Sequence, residues 1–297
     1  MIRNKRCIVF GGAGSIGSEI VRQLVKAENK VYVVDINESG IFDLVESLNS
    51  LHCWGRVGDI RDYRTVKDIF DDFKPQIVFN AAAYKHVPLM ELTPLEAIQT
   101  NILGHYNLIH CAKTWECVEK FTYISSDKSI SGNSIMGVSK KMAEVITCNQ
   151  GKGYVSVRFG NVLGSRGSLT EIWQRQIDNK KPITVTHKDM ERYFMSIEDA
   201  VSLVLKATEI GLGGEVICLN MGQKVNILEL AKRLTEELKF GKIKINGIRP
   251  GETLTEDIMT EEEAKRAKKK GDFWIIPRYE DKRANKEISA RMAQEKS

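Results

Sequence analysis

The glycine-rich turn Gly11-Gly-Ala-Gly14-Ser-Ile-Gly17 constrains this chain more than any other stretch. It is entered from the apolar run Cys7-Ile-Val-Phe10. It is left through Ile16, Ile20 and Leu24, which recur at helical spacing with Val21 and Val25 beside them. Glycines at a strand-to-helix junction permit a tight turn, let the backbone approach a pyrophosphate and let helix and strand pack closely. The helix N-terminus then offers N–H donors and a positive dipole end to phosphate. Three glycines alone are a weak signal. The second strand, Val31-Tyr-Val-Val-Asp35, ends in an acid at the distance a dinucleotide site requires. Gly11, Gly14, Ser15, Ile16 and Gly17 are therefore candidate cofactor contacts. Asp35 either binds the adenosine ribose hydroxyls or caps a turn. Ile36 and Asn37 follow it, with no adjacent arginine to hold a 2′-phosphate, which favours NAD over NADP.

The alternation continues. Residues 54–60 read as a third strand and its exit, where Asp59 and Ile60 either meet the adenine or open the next helix. Residues 77–83 read as a fourth strand, and the small Ala81, Ala82 and Ala83 let a cofactor lie against the backbone. Tyr84 to Glu91 mixes apolar residues with Lys85, His86 and Glu91, the pattern of a substrate-facing loop or of a solvated one. Pro94 opens a helix through Trp115 that carries Asn101 and Gly104. A fifth strand, Phe121 to Ile124, delivers Ser125-Ser-Asp-Lys128, and a helix follows in which Met136 and Lys140 share one face. Tyr154 to Phe159 is a sixth strand. Five or six strands alternating with helices predict an α/β fold, a Rossmann-type doubly wound parallel sheet. A hydroxyl, a carboxylate and two ammonium groups then converge where such sheets bind ligands.

Beyond about residue 166 the alternation breaks. Helical patterns (171–179, 197–210, 227–238) mix with short strands (183–186, 215–219, 242–245). The expected partition is an NAD-binding domain at 1–166, a smaller mixed α/β substrate lobe at 167–277 and a charged tail at 278–297. Glu261 to Lys270 reads as a charged helix. Asn161 and Arg166, in the glycine-rich exit of the sixth strand, form a second anion-binding candidate. Arg192 and Arg249-Pro-Gly-Glu252 supply arginine forks suited to a diphosphate.

A net charge of +5 over 297 residues is too small to argue for nucleic acid and suits an anionic small substrate. The six cysteines include no C-x-x-C pair, which reads as a reduced, cytoplasmic chain. Met1-Ile-Arg-Asn-Lys-Arg-Cys leads straight into a strand and leaves no room for a signal peptide. No apolar run approaches the roughly 20 residues that span a bilayer. His86 has no partner at metal-ligand spacing, and no metal role is assigned to it.

Taken together, the glycine turn, Ala81-Ala-Ala-Tyr-Lys-His-Val-Pro-Leu-Met-Glu91, Ser126-Asp-Lys128, Met136-Gly-Val-Ser-Lys140, Arg158 to Ser168, Thr184-Val-Thr-His187 with Glu191-Arg-Tyr-Phe-Met195, and Arg249 to Glu252 resemble the UDP-N-acetylglucosamine 4,6-dehydratases. These are extended short-chain dehydrogenase/reductases of polysaccharide biosynthesis. The likeness runs from about residue 5 to 260 and is closest to the branch that retains configuration at C5. Members of that branch are often fused to membrane segments, so this chain resembles a soluble short form. The superfamily's tyrosine, four before the lysine, is Met136 here, as is usual in this group. Ser126 stands where the group mostly has threonine and keeps the hydroxyl.

The resemblance implies NAD, a UDP-N-acetylhexosamine substrate and a homo-oligomer. It also implies an internal redox cycle: C4 is oxidised, the C5 proton and the C6 hydroxyl leave, and hydride returns to C6. Asp127 is then the general acid and Lys128 the C5 base, with its pKa depressed. Lys140 holds the nicotinamide ribose and Ser126 binds O4. Methionine cannot take the C4 hydroxyl proton, which leaves Asp127 or water. Lys85, His86, Asn101, Asn161, Arg166, Arg192, Arg249 and Glu252 form the expected substrate-binding set. A UDP-hexosamine 4-epimerase and a non-catalytic NAD-binding sensor remain the alternatives on the same fold.

Overall fold

The computed structural model describes residues 2–239 and 242–278. Six strands alternate with helices: β1 (Arg6–Phe10), β2 (Lys30–Asp35), β3 (Cys53–Val57), β4 (Ile77–Asn80), β5 (Lys120–Ile124) and β6 (Tyr154–Arg158). The remaining strands are β7 (Asn161–Val162), β8 (Ile183–Val185), β9 (Glu191–Arg192), β10 (Phe194–Met195), β11 (Glu215–Leu219), β12 (Val225–Asn226), β13 (Ile243–Ile245), β14 (Lys268–Lys270) and β15 (Phe273–Ile276). The first six pair in parallel in the order β3-β2-β1-β4-β5-β6. The chain direction of winding reverses between β1 and β4, so a crevice opens at their carboxyl ends. Residues alternate across the sheet: Cys7 and Val9 pack into one layer, Ile8 and Phe10 into the other. All four are fully buried, as a sheet covered on both faces requires. Each such apolar side chain contributes about 1.5–3 kcal/mol by leaving water.

The sheet is larger than the six expected strands. Strand β11 adds in parallel to β6, and β15 and β14 extend the edge antiparallel, making nine strands. The cut expected after residue 166 therefore divides a sheet whose last three strands come from beyond it. The helix Ile197–Ile210 also returns to the sheet and packs on the helix Ser15–Lys26. A separate small core, around Trp173, Ile183, Val185, Met190, Ile227 and Ala231, belongs to the second lobe. The stretch 261–270 is not one helix. Thr260 and Glu263 form a capping box, the helix stops at Arg266, and Lys268–Lys270 turns back through Gly271 (φ +58°) as an edge strand. Lysines on an open edge discourage pairing with another chain, a strand signal that charge alone conceals.

The helix expected from Pro94 to Trp115 is interrupted by a wide turn at Ile98–Gly104. Asn101 on that turn accepts from Tyr84 N (2.8 Å) and donates to Tyr84 O (3.0 Å) and Ser139 Oγ (2.9 Å). Wide turns inside helices often mark functional positions. This one ties the segment after β4 to the helix Ile135–Cys148. No helix among the described residues is long and apolar enough to cross a membrane. Apart from Arg278, the charged tail lies outside the described residues.

Candidate active site

At the crevice between β1 and β4 lies a cleft of about 220 Å³. Gly11, Gly14, Asp35, Asp59, Ile60, Ala81, Ala82, Ala83 and Arg166 line it. Gly11 has φ +74°, and a Cβ there would stand 2.4 Å from Ala82 N; one on Gly17 would stand 2.1 Å from Gly11 O. Only glycine permits both approaches. The carboxylate of Asp35 accepts from Ala13 N (3.0 Å) and Asn37 N (3.0 Å), so it braces the glycine turn while facing the cleft. The helix Ser15–Lys26 starts at the cleft wall, since its N-cap Gly14 lines the cleft and carries no side-chain cap, and the first N–H groups of a helix have no preceding turn to bond to. Ser15 Oγ accepts from Arg166 N (3.0 Å), and Arg166 O accepts from Lys85 Nζ (2.8 Å). The exit of β6 thus bridges the glycine turn and the segment after β4. Ile16 packs against the core behind the turn.

Asp59 is bound by a residue the sequence reading passed over. Arg61 Nη2 approaches it at 2.6 Å and its Nε at 2.8 Å, and Arg61 also reaches Glu96. The hydrogen bond from Arg61 holds the Asp59 carboxyl below its usual range.

The Ser126-Asp-Lys128 stretch leaves β5 as a short 3₁₀ turn capped by Ser126. Asp127 is buried, and its Oδ1 accepts from Ser126 Oγ (2.8 Å) and Lys128 Nζ (3.2 Å). Its Oδ2 is buried without a hydrogen-bond partner among the described residues. A Cβ at Gly160 would stand 3.1 Å from that oxygen, so the glycine leaves it room. An orphaned buried carboxylate oxygen is costly unless something else engages it. Lys128 Nζ also donates to Asn161 Oδ1 (3.2 Å) and Glu256 Oε2 (2.7 Å). Burial works against this ammonium, but Asp127 and Glu256 outweigh it and hold the lysine above its usual range. The expected depression of Lys128 is thereby overturned, because two carboxylates and an amide oxygen face one Nζ.

Burial lowers Lys85, and it brings Lys140 down to about 8 with Glu144 opposing. Its Nζ donates to Ile124 O (2.8 Å) and stands over the Tyr123 ring at 5.0 Å. Four residues earlier, Met136 is buried in a small apolar cluster with Val87, Met90 and Ala97. A thioether there offers no proton to the chemistry.

The expected substrate-binding residues separate into three groups. Lys85, His86, Arg166 and Arg249 are exposed at the rim. Burial, then the charges of Lys85 and Arg249, lower the pKa of His86. Arg249 pairs with Glu252 across the turn that Gly251 (φ +76°) allows. Asn161 sits beside Lys128, held there because β7 pairs with β10. Asn101 and Arg192 are internal. Asn101 has its amide committed as described above. Arg192 donates to Glu191 O (2.7 Å), Leu254 O (2.9 Å) and Thr253 O (2.7 Å), and its Nε lies 3.3 Å from Glu256 Oε2. That guanidinium fastens the 253–256 segment, so it is not a free diphosphate fork. Glu256 itself went unnoticed in the sequence: it is 128 positions from Lys128, with no local pattern to link them.

Behind the same turn lies a second buried cluster. Arg158 bonds Glu144 (2.6 and 3.1 Å), Glu263 (2.8 and 3.1 Å) and Ile258 O (2.9 Å). Lys141 bonds both acids, and Ser125 Oγ donates to Glu144 (2.9 Å). The cluster joins β6, the helix Ile135–Cys148 and the helix Glu261–Arg266.

The strand order and glycine cradle define a Rossmann-type α/β protein with an added second lobe. The family model described as polysaccharide biosynthesis protein matches residues 7–278, and the chain belongs to that family. It is 41% identical over 278 residues to the capsular polysaccharide biosynthesis protein CapD of Staphylococcus aureus, covering 88% of this chain but 46% of that protein. The chain thus spans about half the length of CapD. It is 33% identical to a protein named UDP-glucose 4-epimerase from Rickettsia bellii, over 93% of this chain and 84% of that one. The crystal structure of Pen from Bacillus thuringiensis is 34% identical, with a TM-score of 0.87 over 93% of this chain and 89% of that chain.

Proposed function

We propose that this chain uses NAD to convert a UDP-N-acetylhexosamine, UDP-N-acetylglucosamine first, into the UDP-4-keto-6-deoxy sugar with loss of water. The observation that carries the reading is the buried, unpartnered Oδ2 of Asp127 beside Lys128. A dehydration needs an acid at the departing hydroxyl and a second group at the adjacent C–H, and these two side chains sit together where an open sheet binds ligand. The cradle of Gly11, Gly14 and Gly17 fits a pyrophosphate, Asp35 fits ribose hydroxyls, and the alanines after β4 leave room for a flat ring. When bound there, NAD supplies the hydride acceptor and donor. Lys140 is placed to hold the nicotinamide ribose. Asp127 takes the C4 hydroxyl proton and delivers it to the leaving C6 oxygen; Ser126 orients Asp127 and meets O4. Lys85, His86, Arg166 and the Arg249–Glu252 pair bind the nucleotide diphosphate at the rim. Val138, Met142 and Val145 are exposed at i, i+4 and i+7 of one helix, with Leu95, Leu103 and Tyr106 also exposed, which supports a homo-oligomer.

The name of the Rickettsia relative favours a second reading, 4-epimerisation. Met136 does not separate the two, since both begin by oxidising C4 and Asp127 can take that hydroxyl proton in either; the Asp127–Lys128 pair favours dehydration, because only that reaction needs a base at C5 and an acid at C6. Incubation with UDP-N-acetylglucosamine and mass spectrometry separates the two. Loss of one water supports dehydration. An unchanged mass with a changed sugar supports epimerisation and sinks the first reading.

A further inference from the structure

The closest contact of Lys128 is Glu256, at 2.7 Å. Glu256 is 8% exposed, and Arg192, pinned by three backbone carbonyls, approaches the same oxygen, Oε2, at 3.3 Å. Among the described residues, the charged groups acting on it are Lys128, Asp127 and Arg192. A lysine that takes a proton from carbon must first lose one of its own. Lys128 Nζ has three acceptors in reach: Asp127, Asn161 and Glu256. An amide oxygen does not keep a proton, and Asp127 is occupied with the C4 and C6 oxygens.

We propose that Glu256 is the proton partner of Lys128: the ammonium passes one proton along the 2.7 Å contact to Glu256 Oε2, and the freed amine removes the C5 proton. In the first transfer an N–H bond breaks and an O–H bond forms. In the second, the C5–H bond breaks, its electron pair stays in the enolate of the C4 ketone, and N–H forms again. Return of that proton to C5 regenerates the amine, and the Glu256 proton goes back to it. The C4 oxidation and C6 reduction are the hydride exchange supplied by NAD, so this inference rests on the dehydration reading. Burial raises the Glu256 carboxyl, as does Asp127, against the pull of Lys128 and Arg192. Glu256 acts through Lys128, so it is a positioning residue whose signature is a pH profile.

The test compares wild type, Glu256→Gln and Glu256→Asp, each checked for its unfolding midpoint and for NAD binding. An internal transfer leaves the proton count unchanged, so wild-type turnover is flat from neutral to mildly alkaline pH. Glu256→Gln must release the lysine proton to solvent. Its turnover falls about 10-fold or more at neutral pH and then climbs about tenfold per pH unit. Glu256→Asp restores the flat profile. A Gln variant as flat and as fast as wild type overturns the proposal. The second readout needs no turnover: the ¹³Cε signal of Lys128, assigned with Lys128→Arg, is titrated in labelled protein. Its midpoint falls by about 1 pH unit or more in Glu256→Gln, because one of two facing carboxylates is gone. A midpoint that stays put overturns the partnership whatever the substrate. A wild type that releases no water from UDP-N-acetylglucosamine overturns the dehydration reading, and mass alone reports it.

Discussion

Two buried ion clusters flank the turn after β5, and they are built from the same residue types. Behind it, Arg158 and Lys141 face Glu144 and Glu263, and the guanidinium of Arg158 is bonded on every nitrogen. Arg158 strengthens both acids against the cost of burial, pulling Glu263 to about 2. In front, Lys128 and Arg192 face Asp127 and Glu256, yet Asp127 Oδ2 is left with no partner. A fully satisfied network fixes a fold; a network with one open lone pair waits for something to complete it. The difference separates scaffold from chemistry more sharply than residue identity does. Ser125 and Ser126 stand on the divide, the first donating to Glu144 and the second to Asp127.

The comparison breaks if the front cluster is also scaffold. Lys128→Arg keeps the charge but removes a usable base, since guanidinium stays protonated. We expect turnover to fall about 10²–10⁴-fold while the unfolding midpoint and NAD binding hold. An Arg enzyme within a few fold of wild type would return Lys128 to the role of an ion-pair partner. The rear cluster should respond in the opposite way. Arg158→Met takes the buried guanidinium from two carboxylates and leaves Lys141 as the cation bonded to both, and should cost about 3–5 kcal/mol in a denaturant titration. Replacing Arg158, Glu144 and Glu263 together by apolar residues should recover most of that loss. If Arg158→Met proves neutral in stability, the rear cluster is not the scaffold argued here.

What the sequence disclosed follows the same divide. The Rossmann half was legible because its signals are local. A glycine turn between an apolar run and a helical period needs only neighbouring residues to be read, and helix 197–210 was read to the residue. Strand β11 was also read to the residue, at 215–219, but β15 was not, and nothing local says that a strand from the second half returns to the first sheet. The site was legible in its residue types and not in its partners. Lys128 and Lys140 look alike in sequence. One is raised and the other brought down to about 8 because of which carboxylates face them. The acid that faces Lys128 most closely comes from Glu256, in a lobe whose docking no short-range pattern records. Arg192 was read as a free fork, but its donors go to carbonyls of 253 and 254 that only the fold brings near.

The rim sharpens the contrast further. Arg249 is half exposed and, among the described residues, its side chain is bonded to Glu252, whereas Arg192 is buried and bonded on all sides. Arg249→Ala should raise KM about tenfold or more, the worth of a charged hydrogen bond, and change kcat by a few fold at most. A fall in kcat at constant KM would move Arg249 from the rim into the chemistry.

The smallest effect concerns Lys140, which belongs to neither cluster and carries its charge at a cost. Its pKa is depressed from 10.5 in the open chain to about 8 in the fold. Below about 8 both states hold the proton and burial weakens the fold. Between 8 and 10.5 the unfolded chain keeps a proton that the folded chain has lost, so stability rises with pH through that window. The buried cysteines act in the opposite sense from 9.0 upward: Cys7, Cys148 and Cys218 are pushed to about 12, so the unfolded chain loses those protons first. The cysteines already begin to titrate in the unfolded chain between pH 8 and 9, so the lysine is read as a difference between two proteins that share them. Across that interval wild type should gain about 1 kcal/mol relative to Lys140→Met in urea midpoints. The methionine also leaves Ile124 O without its donor, a loss that does not depend on pH and so lowers both midpoints equally. A Met variant whose pH dependence parallels wild type would show that Lys140 does not lose its proton in that window.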